Sequence, residues 1–204
     1  MKLGSHNSFT YLPPKHWWMY PFIPIARCQS KSIIDQYKLG ARWFDLRIRY
    51  DKHDRLIVAH GLMVYKADVE TVCLMLHYLN IEAHYFVQEP IYIRVLYEMS
   101  SKDKSRKAKD HELQFIGFCS FIQNRFQYLT FIGGQRKYDW KLLHNFNTQP
   151  PQSIDMYSSC TWRKWDDWLP WMYARIMNNR NWGKYKDIEP DSFMLADFIH
   201  HIKQ

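Results

Sequence analysis

Short apolar segments alternate along the chain with helical ones, and this alternation restricts the possible folds most. Six segments rich in β-branched and aromatic residues predict strands, at 42–48, 56–59, 90–96, 128–132, 154–157 and 193–199. Between them, apolar residues recur with helical spacing at 69–79 and at 115–126. Strands that alternate with helices predict an α/β fold with a parallel sheet. A (β/α)8 barrel usually takes about 250 residues, so a barrel of 204 residues would be compact and irregular, with short or missing helices.

The composition indicates a globular chain with a basic surface. With 47% hydrophobic and 24% charged residues, we expect a single domain over residues 1–204, and we expect it to be a monomer. No run approaches the roughly 18 uncharged apolar residues that a membrane-spanning helix needs. The net charge of +8 and the 9 tryptophans suit a negatively charged partner, either nucleic acid or an anionic membrane. Nucleic acid is the weaker interpretation, because the basic residues are dispersed and no nucleic-acid-binding motif is present.

The cysteines and the first residues limit the chemistry and the compartment. The four cysteines lie far apart without a C-x-x-C pair, so neither a zinc ribbon nor a thioredoxin-type site is indicated, and we expect reduced, mostly buried thiols. A signal peptide needs a basic start followed by an apolar stretch, which residues 1–8 do not provide. With Met1 as the native start, the expected location is therefore cytoplasmic.

Two histidines follow apolar segments directly. His6 ends a very short apolar start, and His60 comes after segment 56–59. In a barrel such positions lie on the carboxyl-end rim of the strands, where these folds hold their active sites. Between the two histidines, alternation along a strand places Asp45 and Arg47 on one face. We therefore expect these four side chains to converge on one rim.

Two imidazoles and a guanidinium suit phosphoryl transfer. One imidazole takes a proton from an attacking hydroxyl while the other gives a proton to the leaving oxygen. The guanidinium holds the non-bridging oxygens with paired donors that a lysine lacks. Each residue also has a structural explanation when taken alone, since a histidine at a strand end is more often structural than catalytic.

The ordered set of motifs over residues 4–61 resembles the catalytic X-domain of the phosphatidylinositol-specific phospholipases C. The order and spacing are most similar to those of the bacterial, single-domain members. The matching motifs are Gly4-Ser5-His6-Asn7-Ser8, Cys28-Gln29, Ser32-Ile33, the run 36–47 and His60-Gly61. The match is looser at 90–98 and at 194–199.

This resemblance implies a fold and a reaction. The fold is an irregular, sometimes incomplete (β/α)8 barrel. The reaction is the cleavage of phosphatidylinositol by its own 2-hydroxyl, which releases diacylglycerol and a cyclic inositol phosphate. The resemblance implies that His6 is the general base, that His60 is the general acid, and that the carboxylate of Asp197 orients the base.

The resemblance also bears on metal use. Arg47 occupies the place of an arginine in bacterial members and of a metal-binding carboxylate in calcium-dependent eukaryotic ones, and Leu96 replaces another calcium ligand. A fixed cation there makes a metal unnecessary, so we expect no cofactor. The alternative is a Ca²⁺- or Mg²⁺-dependent phosphodiesterase on the same barrel, with Asn7, Asp45 and Glu98 as ligands.

The chain departs from the bacterial pattern at the substrate side. Glu98 resembles a substrate-side carboxylate. Asn7 replaces the usual aspartate, and an amide forms no ion pair with Arg47. Bacterial members tend to carry a lysine where this chain has Leu96 or Tyr97, so recognition of the head group is expected to differ.

Tryptophans and basic residues suggest contact with an anionic surface. Trp17 and Trp18 follow the first motif and are predicted to contact the membrane. Four more tryptophans recur at positions 162, 165, 168 and 171. Pro170 is expected to interrupt any helix in that segment. The alternative for all six is packing within the core and rim. Residues 100–109 predict a mobile basic loop. A further hypothesis is a non-catalytic module that binds anionic membranes through this charge and these aromatic side chains.

Overall fold

The structure is a computed structural model that describes residues 1–51, 53–86, 89–98, 107–133, 152–157, 169–189 and 191–203, with the backbone alone at 107–110. The strands are β1 (Lys2–Ser5), β2 (Ala41–Tyr50), β3 (Leu56–His60), β4 (Met63–Val64), β5 (Ile91–Tyr97), β6 (Leu129–Gly133), β7 (Ser153–Met156) and β8 (Phe193–Ala196). The α-helices are α1 (Ile23–Ala26), α2 (Ile33–Lys38), α3 (Val69–Tyr85), α4 (Lys107–Arg125) and α5 (Pro170–Tyr185), and 3-10 helices cover Trp17–Phe22 and Ile199–His201.

Six strands form a curled parallel sheet in the order β6-β5-β2-β1-β8-β7. The first strand lies in the middle, where Ser5 is level with Phe44 of β2 and with Ala196 of β8. Because all six strands run the same way, their carboxyl ends meet on one rim. Within the described residues no pairing joins β6 to β7. The predicted α/β fold is confirmed, as a curled half-barrel with few helices.

The prediction that segment 56–59 is another parallel strand is wrong. β2 is 10 residues long and extends beyond the end of β1, and β3 starts at its tip and returns antiparallel, with Ile48 opposite Val58. Continuing this register places His60 level with Leu46. The histidine therefore reaches the rim from a hairpin that folds back, because β2 overshoots the rim by several residues.

The helices that bury an apolar face form where the sequence pattern predicts them. α3 starts at the Asp68 side chain, which accepts a hydrogen bond from the Thr71 N–H, and buries Val72, Leu76 and Leu79. α4 buries Phe115 and Ile122 as predicted. Its first residues, 107–109, were predicted as part of the basic loop, so that interpretation is wrong for them, while residues 100–106 lie outside the described residues.

Two further predictions near the C-terminus need correction. Pro170 begins α5 rather than interrupting a helix, because a proline in the first turn has no helical hydrogen bond to lose. The predicted strand 193–199 ends at Ala196, since Phe198 has a φ of 44° that no strand accommodates. Trp171 lies on α5, and the other three tryptophans of that series lie outside the described residues.

An apolar cluster fills the space that the curled sheet encloses below the rim. It contains Trp43, Ile132, Phe193 and Leu195. Gly4 belongs to this level, where an added Cβ would overlap the Leu195 side chain and press against Trp43. Trp43 and Leu195 each precede an inward-facing carboxylate by two residues, so this cluster is the floor on which the polar rim rests.

None of the helices in the described part of the chain combines the length and the apolar character that crossing a bilayer requires.

Candidate active site

The structure brings the predicted rim residues together. His6 directly follows β1, Glu98 follows β5, and Asp197 follows β8, while Asp45 and Arg47 lie on the long strand β2. All five side chains are buried. The predicted convergence of these side chains on one rim is therefore present in the structure.

The hydrogen bonds of His6 define its tautomer. Its Nδ1 lies 2.7 Å from Asp197 Oδ1, and its Nε2 lies 2.8 Å from Arg47 Nη2. A guanidinium has only donors, so Nε2 must accept from it through its lone pair. The ring proton is then on Nδ1 and is donated to the carboxylate. His6 is thus a neutral imidazole whose lone pair faces the interior of the rim.

Burial keeps His6 neutral. Desolvation lowers the pKa of His6 to about 3 even though Asp197 opposes it, and the nearby Arg47 lowers that pKa further. His6 is therefore unprotonated at Nε2 throughout the physiological range, with the Nε2 lone pair engaged in the contact with Arg47.

Arg47 is held between two carboxylates. Its Nε and Nη2 donate to Asp45 Oδ2 over 3.1 and 3.0 Å, and its Nη1 lies 3.8 Å from Glu98 Oε2. Burial would lower the pKa of Arg47, but the two carboxylates raise it above its usual value. Burial would likewise raise the pKa of Asp45, but Arg47 and Arg94 lower it. The guanidinium is therefore a permanent, oriented positive charge.

His60 lies across the rim from His6. The ring centroids are 6.4 Å apart and the rings are nearly perpendicular. Its Nδ1 donates to the Ala26 carbonyl over 2.8 Å, so Nε2 is the nitrogen that titrates. Burial, with Arg47 second, lowers the pKa of His60 to about 4. The next residue is also fixed, since the Gly61 N–H donates to Glu98 Oε1 over 3.0 Å.

Asn7 is built into the site rather than directed outward. Its φ of 46° lies in the left-handed region that asparagine tolerates better than most residues. Its backbone N–H donates to Asp45 Oδ2 over 3.1 Å, and its side-chain Nδ2 lies 3.3 Å from His6 Nε2 and 3.4 Å from Cys28 Sγ. Its Oδ1 is buried without a hydrogen-bond partner among the described residues, so it is an unused acceptor at the rim.

Two buried glutamines hold the turn after β1. Gln29 Nε2 donates to the His6 and Ala196 carbonyls over 3.1 and 2.8 Å, which ties the ends of β1 and β8 together. Gln36 Nε2 donates to the Ser8 carbonyl over 2.8 Å. Gln29 and Gln36 belong to the matching motifs Cys28-Gln29 and 36–47. Membership of these motifs was the only indication in the sequence, and it predicted no role for either glutamine.

The sequence interpretation missed Tyr157 and Arg94. The Tyr157 ring stacks flat on His6 with centroids 3.7 Å apart, and its hydroxyl donates to Asp155 Oδ2 over 3.2 Å. Burial raises the pKa of Tyr157 to about 12. Arg94 Nε lies 3.9 Å from Asp45 Oδ1, so a second cation lies beside this carboxylate. Arg94 precedes Leu96 by two residues on β5 and therefore lies further from the rim. No local motif distinguishes these residues, because their partners come from other strands.

The alternative Ca²⁺ or Mg²⁺ ligand set does not fit this arrangement well. Arg47 contacts both proposed carboxylates, at 3.0 Å from Asp45 and at 3.8 Å from Glu98. A divalent cation bound to Asn7, Asp45 and Glu98 would have to displace the guanidinium.

Apolar side chains are exposed beside the site. Trp17 is 84% exposed and Trp18 52%, both in a 3-10 helix that continues into α1. Leu62, two residues after His60, is 85% exposed. Because the Ala26 carbonyl at the end of α1 receives the His60 hydrogen bond, this exposed surface borders the rim.

Comparison with known proteins shows the fold. No protein-family model and no curated protein matches the chain. The phosphatidylinositol-specific phospholipase C from Listeria monocytogenes is similar in structure, with a TM-score of 0.62, 14% identity, and coverage of 100% of this chain and 93% of that one. A variant of the phosphatidylinositol-specific phospholipase C from Staphylococcus aureus has a TM-score of 0.60 and 12% identity over 97% of this chain and 84% of that one. Another S. aureus structure, which concerns modulation of membrane binding, has a TM-score of 0.60 and 13% identity over 100% and 92% of the two chains. The resemblance to the bacterial phospholipases is thereby confirmed at the level of the fold, a TIM-barrel type.

Proposed function

We propose that this protein is a metal-independent phosphodiesterase of the phosphatidylinositol-specific phospholipase C type, which cleaves a phospholipid head group by general acid-base catalysis between two histidines. The observation that supports this most is the double contact of His6, with Asp197 on Nδ1 and Arg47 on Nε2. The contact fixes a neutral base beside a permanent cation. The shared fold of two bacterial phospholipases of this type adds independent support.

The base step follows from this contact. A substrate phosphate provides two oxygens for the Arg47 guanidinium, which leaves Nε2 of His6 as it turns toward them. The freed lone pair then takes the proton of the attacking head-group hydroxyl. The imidazolium that forms donates through Nδ1 to the Asp197 carboxylate, which stabilises its charge. Arg47 meanwhile balances the charge that develops on the phosphoryl oxygens.

The acid step belongs to His60. Its Nδ1 remains bound to the Ala26 carbonyl, so Nε2 carries the proton that goes to the leaving alcohol oxygen. In the free protein the pKa of His60 is about 4, because burial and Arg47 disfavour its charge. A bound phosphate anion neutralises Arg47 and raises that pKa, so the substrate itself promotes protonation of the acid. One proton is taken and one is given, and the products are a cyclic phosphate and the lipid alcohol.

The exposed apolar surface beside the rim is the proposed membrane contact. Trp17, Trp18 and Leu62 are large apolar side chains that are each more than half exposed. They suit insertion among lipid head groups, with the rim facing the bilayer. A lipid head group then enters the site without leaving the membrane.

The test is hydrolysis of phosphatidylinositol in vesicles, with the phosphorus products identified by ³¹P NMR in the presence and absence of EDTA. We expect a cyclic phosphodiester as the first product, at the same rate with and without EDTA. Strong inhibition by EDTA that is reversed by calcium or magnesium would favour the metal-dependent alternative. Vesicle binding without cleavage of any phospholipid would favour the non-catalytic module.

A further inference from the structure

Cys28 is a buried nucleophilic group at the site that the proposed reaction does not use. Its backbone is fixed from both sides, because its N–H donates to Thr10 Oγ1 over 2.9 Å and its carbonyl accepts from the Phe198 N–H over 2.6 Å. Its Sγ accepts a hydrogen bond from Asn7 Nδ2 over 3.4 Å and lies 4.0 Å from His60 Nδ1. The thiol is therefore held in place within the cluster of polar side chains.

The Cys28 thiol lies close to the side chains of His6 and Asp197. One ligand atom from each residue lies within 4.8 Å of the other two, and all three side chains are almost fully buried. A tetrahedral zinc ion, at about 2.0–2.3 Å from each ligand, separates its ligand atoms by roughly 3.3–3.8 Å. Because no separation exceeds 4.8 Å, a contraction of at most about 1 Å brings the three atoms into coordination distance.

We propose that His6, Cys28 and Asp197 form a binding site for Zn²⁺, and that an ion bound there inactivates the protein. Thiolate, imidazole and carboxylate are the ligands of zinc sites, whereas calcium and magnesium prefer oxygen alone. One thiolate and one carboxylate balance the charge of the ion, and the imidazole adds none. The three ligands leave one tetrahedral position for water.

Zinc binding moves protons in a defined way. Burial raises the pKa of the Cys28 thiol, so the ion must displace the thiol proton to solvent when the Zn–S bond forms. His6 is already neutral and donates a lone pair from one ring nitrogen. If Nε2 binds the ion, Arg47 Nη2 has to leave that nitrogen, and the lone pair of the proposed base is lost. If Nδ1 binds it, the hydrogen bond to Asp197 is lost. The inhibition rests on the proposed function, whereas the metal binding does not.

Cobalt and zinc salts test this proposal with two separate readouts. Co²⁺ replaces Zn²⁺ in such sites, and a thiolate ligand gives a charge-transfer absorption band. We expect the band in the wild-type protein and in Cys119→Ser, which changes a buried cysteine on α4, and its loss in Cys28→Ser. Zinc chloride is expected to inhibit hydrolysis of phosphatidylinositol vesicles, while the half-inhibiting concentration rises at least about 100-fold in Cys28→Ser, measured against the metal-free rate of each variant.

The outcomes separate the metal site from the function. Absence of a thiolate–cobalt band in the wild-type protein would overturn the site, whatever the catalytic activity. Equal zinc inhibition of wild type and Cys28→Ser would overturn the link to Cys28. If circular dichroism shows that Cys28→Ser is unfolded, Asp197→Asn is measured instead. Its cobalt affinity is expected to fall by the same order of magnitude as the change expected for Cys28→Ser. A band without any phospholipase activity would keep the metal site and remove the proposed reaction.

Discussion

His6 Nδ1 and Asp197 Oδ1 lie 2.7 Å apart although 191 positions separate the two residues in the sequence. The contact exists because β1 and β8 are neighbours in the sheet and both end at the same rim. It joins the first polar residue after the first strand to the first one after the last strand.

This contact predicts the effect of Asp197→Asn. The amide has an N–H where the carboxylate has an acceptor, so the ring proton of His6 moves to Nε2 and the lone pair turns away from the substrate. We expect kcat on phosphatidylinositol vesicles to fall by about 10³–10⁴-fold with little change in KM. A decrease below tenfold would show that Asp197 does not orient the base.

The pairing of Arg47 with two carboxylates predicts the effect of Arg47→Lys. An ammonium supplies a point charge in place of the fork that reaches Asp45 and a phosphate together. We expect kcat to fall by about 10²–10³-fold, by analogy with the loss of one oriented donor in the transition state. Arg55→Lys, at an exposed ion pair with Asp51, is the matched control and is expected to retain wild-type turnover. Equal activity of the two variants would contradict the role of Arg47.

The lowered pKa of the partly buried His60 predicts how stability depends on pH. Burial lowers the pKa of His60 in the folded protein to about 4, below the value of about 6.5 expected in the unfolded chain. Between these values the unfolded chain binds a proton that the folded protein does not, so acid favours unfolding. The stabilisation is complete above about pH 6.5 and is lost as the pH falls toward 4, with ~3 kcal/mol at stake for this residue.

Urea unfolding between pH 4 and 7 measures this effect. The free energy of unfolding is expected to decline more steeply for the wild-type protein than for His60→Asn, which keeps a donor near the Ala26 carbonyl but does not titrate. Parallel curves for the two proteins would show that His60 is not held neutral by the fold.

The exposed aromatic side chains predict a separation of binding from chemistry. Trp17→Ala combined with Trp18→Ala is expected to weaken binding to anionic vesicles at least about tenfold, since burying one such side chain contributes ~1.5–3 kcal/mol. Hydrolysis of a soluble phosphodiester is expected to remain unchanged. Trp171→Ala on α5 is the control and should leave both properties intact. Equal loss of binding and hydrolysis in the double variant would mean that the two tryptophans are structural.

Local patterns predicted the elements whose buried faces are apolar, such as α3 and α4. They did not predict α5, because that helix buries Ala174, Asn178 and Asn181, which give no apolar periodicity. They also predicted that β3 is parallel to its neighbour, although it is antiparallel to β2. An apolar run of four residues carries no information about the direction of the adjacent strand.

The site could be predicted where the residues belong to a recognisable motif. His6, Arg47 and His60 were found from their order and spacing over the first 61 residues. Tyr157 and Arg94 were not, because a ring stacked on His6 and a cation beside Asp45 are created by strand neighbours that only the folded sheet brings together.

The most direct test of the account is the turnover of phosphatidylinositol vesicles by His6→Ala and His60→Ala, each compared with the exposed control His77→Ala on α3. Loss of either proton-transfer group is expected to lower kcat by at least about 10²–10⁴-fold, while His77→Ala retains the wild-type rate and circular dichroism shows all three variants folded. Wild-type turnover by either His6→Ala or His60→Ala would contradict acid-base catalysis by this pair.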